Sequence, residues 1–229
     1  MQLRELQKNS SKTETEAVGF SKWGVLIVGD SIIESFHVKA MISQKFFVLN
    51  HGVGGDSIEN IALRYRELVK NTPHKIVIVE GGINDIICTI VGQGEKERTY
   101  NDIIDSYSEI INFAKNNNVK PVCLEILPVT NKFLLPFTKS ISLPTKFDVQ
   151  QVNDMVRKVN KGLKELCEMN SIQLFATYDA VVTKQGKASR NFIHADGYHV
   201  NIFGYAKMAA IINFKLDQLV ESRRDPAMR

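Results

Sequence analysis

Along the chain, short apolar runs alternate with longer stretches in which apolar side chains recur every three or four residues. The runs are Val25–Val28, Phe46–Leu49, Ile76–Val79, Val122–Leu127 and Ile172–Phe175. They are short, rich in β-branched residues and apolar on both faces, which predicts strands of a sheet covered on both sides. Between them the helical period is carried by 57–70 (Ile58, Ile61, Ala62, Tyr65, Leu68) and by 102–117 (Ile103, Tyr107, Ile110, Ile111, Ala114). It is clearest over 148–169, where Val152, Val156, Val159, Leu163 and Leu166 face one way and Lys and Glu the other, and it returns over 203–220. Strand–helix alternation repeated this often predicts an α/β fold with a parallel sheet and helices on both faces.

Residues 1–22 are polar and charged, and 221–229 return to that character, so the expected layout is a polar N-terminal extension, one domain over 23–220 and a polar C-terminal tail. A chain of 229 residues suits one domain of ordinary size. An apolar share of 44% is enough for a packed core and rules out wholesale disorder. No uncharged apolar stretch approaches the length of a membrane span. The excess of 29 basic over 25 acidic side chains is mild and spread out, so nucleic acid is not expected as a partner. Cys88, Cys123 and Cys167 are odd in number and scattered, which argues against a disulfide framework and a structural zinc site. The first residues lack a signal-peptide apolar stretch, so a cytoplasmic location is expected. One connection, from Pro128 to about Phe147, is long for a compact domain and carries an apolar centre, Phe133 to Phe137. Phe133 and Phe137 are candidates to line a substrate pocket, or they pack against the helix over 148–169.

In an open parallel sheet, ligands gather at the carboxyl ends of the strands. The segments there are Gly29-Asp30-Ser31, Asn50-His51-Gly52-Val53-Gly54-Gly55-Asp56 and Gly81-Gly82-Ile83-Asn84-Asp85, and before the last helix comes His194-Ala195-Asp196-Gly197-Tyr198-His199. Each alone has an ordinary explanation. Ser31-Ile32-Ile33-Glu34 matches a capping box, the glycines suit turns, Asn84-Asp85 suits a helix cap, and Asp196 with His199 suits a surface pair. Together they supply what nucleophilic acyl transfer requires: a hydroxyl (Ser31), a base (His199), a carboxylate to orient it (Asp196) and donors for an oxyanion. The donors are the backbone N–H of Ser31, that of Gly55, where a missing Cβ lets the peptide approach a tetrahedral carbon, and the Asn84 amide. Asp30 and Asp85 are expected to hold loops by accepting backbone N–H bonds. His51 and His194 are expected near the site without acting in it.

These four segments resemble, in order and context, the blocks of the SGNH hydrolase superfamily, also called the GDSL lipase/esterase family. Gly29-Asp30-Ser31-Ile32 is similar to the first block, Asn50-x-Gly52-x-x-Gly55 to the second, Gly82-x-Asn84-Asp85 to the third and Asp196-x-x-His199 to the last. The resemblance spans residues 24 to about 215 and departs after the first block, where Ile33-Glu34-Ser35 replaces the Thr-x-Gly of many members. It implies a flavodoxin-like three-layer α/β/α sandwich with about five parallel strands. It also implies hydrolysis of carboxylic esters without a cofactor or metal, a triad of Ser31, Asp196 and His199, and an oxyanion hole of Ser31, Gly55 and Asn84. The expected partner is a small-molecule, lipid or carbohydrate ester. An acyl transferase using the same residues and a catalytically retired binding module remain open, and oligomeric state is not legible.

Overall fold

The computed structural model describes residues 23–91, 99–130 and 148–221. Five strands, β1 (Trp23–Gly29), β2 (Phe46–Gly52), β3 (Ile76–Val79), β4 (Lys120–Leu124) and β5 (Gln173–Phe175), form one parallel sheet in the order β2-β1-β3-β4-β5. This is the doubly wound order whose direction reverses at β1 and β3, and it leaves a crevice at their carboxyl ends. Register brings Gly29 beside Gly52 and Val28 beside Val79, so the loops after β1, β2 and β3 leave the sheet side by side.

Alternate residues of each strand serve opposite faces. Leu26, Val28, Val77, Val79 and Cys123 pack against α3 (Ile58–Asn71), α4 (Ile83–Val91), α5 (Tyr100–Asn116) and α6 (Val149–Met169). Val25, Ile27, Ile76, Ile78, Val122 and Leu124 pack against α1 (Ser31–Glu34), α2 (Val38–Met41) and α7 (Ile202–Glu221). The three-layer sandwich expected from the sequence is thus present. The four long helices lie within two residues of their expected bounds.

The fourth apolar run stops being a strand three residues early, at Leu124. Two asparagines of α6 explain this. The Asn160 side chain accepts from Ile126 N–H (2.9 Å) and donates to Ile126 C=O (2.9 Å), replacing ladder bonds with an amide clamp. Two helical turns earlier, Asn153 does the same to Val129 at 2.8 Å in both directions. The chain is led off the sheet by side chains, a feature no apolar pattern encodes. Phe133 and Phe137 lie outside the described residues. Among the described residues no helix is long and apolar enough to cross a membrane.

Candidate active site at the strand ends

Ser31 opens α1 directly after β1. The capping role that the sequence offers as the ordinary alternative for Ser31 falls to Asp30, whose Oδ1 accepts from Ile32 N–H at 2.9 Å. Ser31 is thereby the first helical residue, and its hydroxyl is not spent on its own helix. The turn is held from two sides. Asn50 donates to the carbonyls of Ile33 (2.6 Å) and Phe36 (2.9 Å), closing α1 against the end of β2. Arg64 from α3 donates to His51 C=O (3.0 Å) and Gly29 C=O (3.2 Å) and pairs with Asp56 at 2.7 Å, tying the ends of β1 and β2 together. Packing there is tight: a Cβ on Gly52 would lie 2.0 Å from the Glu34 nitrogen.

His199 comes from the loop before α7. Its Nε2 lies 2.9 Å from Ser31 Oγ, and its Nδ1 lies 2.8 Å from Asp196 Oδ2. A carboxylate only accepts, so Nδ1 carries the proton of the neutral ring and Nε2 accepts the Ser31 hydroxyl. Asp196 Oδ1 accepts the N–H groups of Tyr198 and His199, each at 3.0 Å. Burial pushes the Asp196 carboxyl up, but those two N–H bonds and the imidazole outweigh it and hold the group below the ordinary value, as a carboxylate. His194 Nδ1 is 3.5 Å from the same Oδ2, on the solvent side.

Asn84 Nδ2 donates to Asp56 C=O at 3.0 Å, one residue beyond Gly55. One amide hydrogen is thus fixed and the other remains for a ligand. Gly55 has φ +82°, and a Cβ there would meet nothing within 4 Å. The left-handed backbone is enough to favour glycine there, and the space beside it is open. Crowding falls on Gly54, whose Cβ would lie 2.8 Å from Glu34 Oε2 and 3.8 Å from Ser31 Cβ. Asp85 Oδ2 accepts from Ile58 N–H at 2.9 Å, which ties the start of α4 to the first turn of α3. Asp30 and Asp85 both hold loops, as expected. His51 sits at the end of β2 and is pushed down by burial and by Arg64. Among the described residues no group of three or more His, Cys, Asp or Glu could hold a metal.

Beside the Asp196–His199 loop, Thr130 N–H donates to Gly197 C=O at 2.7 Å. Thr130 also lines a cavity of about 600 Å³ together with Val129, Asn153, Tyr178, Lys187 and Arg190. Arg64, the Asn50 clamp and this cavity were not foreseen. Arg64 could have been read from its place two turns after Asp56, but the others depend on contacts distant in sequence.

The family model for GDSL-like lipases and acylhydrolases matches residues 27–207, which include all four strand-end segments. The chain belongs to the GDSL-like lipase/acylhydrolase family. Solved structures of this family share its fold. A GDSL-like lipase from Bacteroides thetaiotaomicron superposes with a TM-score of 0.69 at 19% identity, covering 92% of this chain and 98% of that one. An acetylxylan esterase from Geobacillus stearothermophilus, in the form of a serine-to-alanine catalytic mutant, gives 0.66 at 13% identity over 86% and 94% of the two chains. A lipolytic G-D-S-L family protein from Veillonella parvula gives 0.62 at 18% identity over 82% and 95%. No match was found among curated protein sequences. Membership makes the protein a hydrolase of the esterase/acylhydrolase kind, with small-molecule esters as the class of substrate.

Proposed function

We propose that this GDSL-family protein hydrolyses carboxylic esters through an acyl-enzyme on Ser31, with His199 as base and Asp196 orienting it. One observation carries the reading: the unbroken hydrogen-bonded relay from Ser31 Oγ to His199 Nε2 (2.9 Å) and from Nδ1 to Asp196 (2.8 Å). His199 Nε2 takes the Ser31 proton as Oγ attacks the ester carbonyl carbon. Negative charge collects on the carbonyl oxygen, where the N–H groups of Ser31 and Gly55 and the unspent hydrogen of Asn84 Nδ2 receive it. The tetrahedral centre collapses, the alcohol leaves with the proton from Nε2, and an acyl-serine remains. Water, deprotonated by the same nitrogen, repeats the attack and releases the acid. Asp196 stays ionised throughout and stabilises the imidazolium.

A panel of p-nitrophenyl esters, run with the wild type and Ser31→Ala in parallel, tests the proposal. Hydrolysis by the wild type and a loss on the order of 10⁶-fold in the variant are expected. Equal rates for the two proteins would refute it.

A further inference from the structure

Beneath Ser31 lie two carboxyl groups with no part in the chemistry above. Asp30 ends the β1 turn and Glu80 follows β3, on the two strands that flank the crevice. Glu80 N–H donates to Val28 C=O at 3.1 Å, which fixes the two strand ends side by side. Both residues are 0% exposed, and their side chains are in hydrogen-bonding contact with each other. Asp30 Oδ1 is used by Ile32 N–H, but Asp30 Oδ2, Glu80 Oε1 and Glu80 Oε2 find no N–H or O–H donor among the described residues.

The surrounding groups cannot supply one. The Tyr107 hydroxyl of α5 donates to Gly81 C=O at 2.8 Å, and the Tyr205 hydroxyl of α7 donates to Ile32 C=O at 2.8 Å. Arg64 spends its guanidinium on Asp56, His51 C=O and Gly29 C=O. Asp85 on α4 and Asp56 after β2 face the pair with further negative charge. Two ionised carboxylates in contact at zero exposure would be strongly unfavourable, whereas one proton shared between them removes the repulsion.

We infer that Glu80, as its neutral acid, donates a hydrogen bond to Asp30 Oδ2 and so acts as a positioning residue for Ser31. The inference deepens the proposed function, because Asp30 is the cap that starts α1 with Ser31 outward. With Oδ1 on Ile32 N–H and Oδ2 on Glu80, the Asp30 carboxyl has one permitted orientation, and the serine turn is set from below. Burial works in the same direction: it pushes Glu80 well above the ordinary carboxylate range and Asp30 up to about 7. Asp30 already accepts the Ile32 N–H on Oδ1, which favours it as the carboxylate of the pair and leaves the shared proton on Glu80.

Two variants and two readouts test this. Glu80→Leu removes the donor, and kcat should fall on the order of 10- to 100-fold with KM unchanged, as for a displaced nucleophile. Glu80→Gln keeps an N–H donor and should rescue most of that loss. Infrared spectra in D2O at pH 8 should contain a protonated-carboxyl stretching band in the wild type that is absent in Glu80→Gln. A folded Glu80→Leu with wild-type kcat, a band missing from the wild type, or a band that persists in Glu80→Gln would each overturn the assignment. The infrared comparison decides the matter even if Glu80→Leu does not fold. It also holds if no ester is hydrolysed, which keeps failure of the inference separate from failure of the proposed function.

Discussion

The two halves of the site are built in opposite ways. Ser31 stands on the sheet: its turn is fixed by Asp30, Asn50 and Arg64, and the adjoining stretches Val25–Gly29 of β1 and Ile76–Val79 of β3 are buried. His199 and Asp196 stand on a loop outside the sheet. It meets the rest of the molecule through His199 Nε2 to Ser31 Oγ and Thr130 N–H to Gly197 C=O, and Asn201 joins its flank to the carbonyls of Phe192 and Asn191. The loop is instead self-supporting. One oxygen of Asp196 gathers the N–H groups of Tyr198 and His199, while the other holds the imidazole. The same carboxylate shapes the loop and aims the base. Sheet-borne positions are therefore set by burial, loop-borne positions by local hydrogen bonding, and mutations on the two sides should separate chemistry from stability.

The largest effect that separates them is Asp196→Asn. An amide oxygen can still accept the two backbone N–H groups, so the loop persists, but the amide nitrogen faces Nδ1 and imposes the wrong tautomer. A fall in kcat on the order of 10⁴ with an unchanged unfolding midpoint is expected. Asn84→Ala comes next: loss of one oxyanion donor should lower kcat on the order of 10²- to 10³-fold, measured under saturating ester. Asn160→Leu should do the reverse. It strips Ile126 of both partners and should lower the unfolding free energy by about 1–3 kcal/mol in urea titrations, with kcat retained.

How much of this was legible in the sequence follows the same division. Strands buried on both faces announce themselves as apolar runs, and the long amphipathic helices by their period, so the sandwich could be read directly. The candidate site was legible because Ser31, Gly55 and Asn84 follow β1, β2 and β3 and Asp196 and His199 precede α7, each in a short polar segment. Ser31 was ambiguous for a physical reason: Asp30 and Ser31 both cap helices well, and only the geometry shows the aspartate doing so. The Asn153 and Asn160 clamps join elements that are remote in the chain, and nothing local marks them. Glu80 reads as the polar end of an apolar run, and its burial against Asp30 appears only once β1 and β3 are neighbours.

A further prediction concerns pH. Asp30 ionises at about 7 in the folded protein against 3.8 for the ordinary group, with burial as the cause, and Asp85 at about 6 for the same reason. Between those limits the folded chain holds protons the unfolded chain has released, so stability falls as pH rises from about 4 to about 7, and it goes on falling above 7 while Glu80 keeps its proton. Asp196 has the opposite sign, but its depressed value confines its contribution to more acidic solution. Urea midpoints taken across this range should decline, and Asp30→Asn should flatten the decline. A midpoint that rises over the same range would place the buried charge elsewhere.

The most direct test of the central claim is covalent capture. The wild-type protein is treated with a fluorophosphonate ester probe, digested, and the modified peptide identified by mass spectrometry. The account predicts one adduct per chain, on Ser31, lost in Ser31→Ala and strongly slowed in Asp196→Asn. An adduct on another residue, or undiminished labelling of Ser31→Ala, would contradict it.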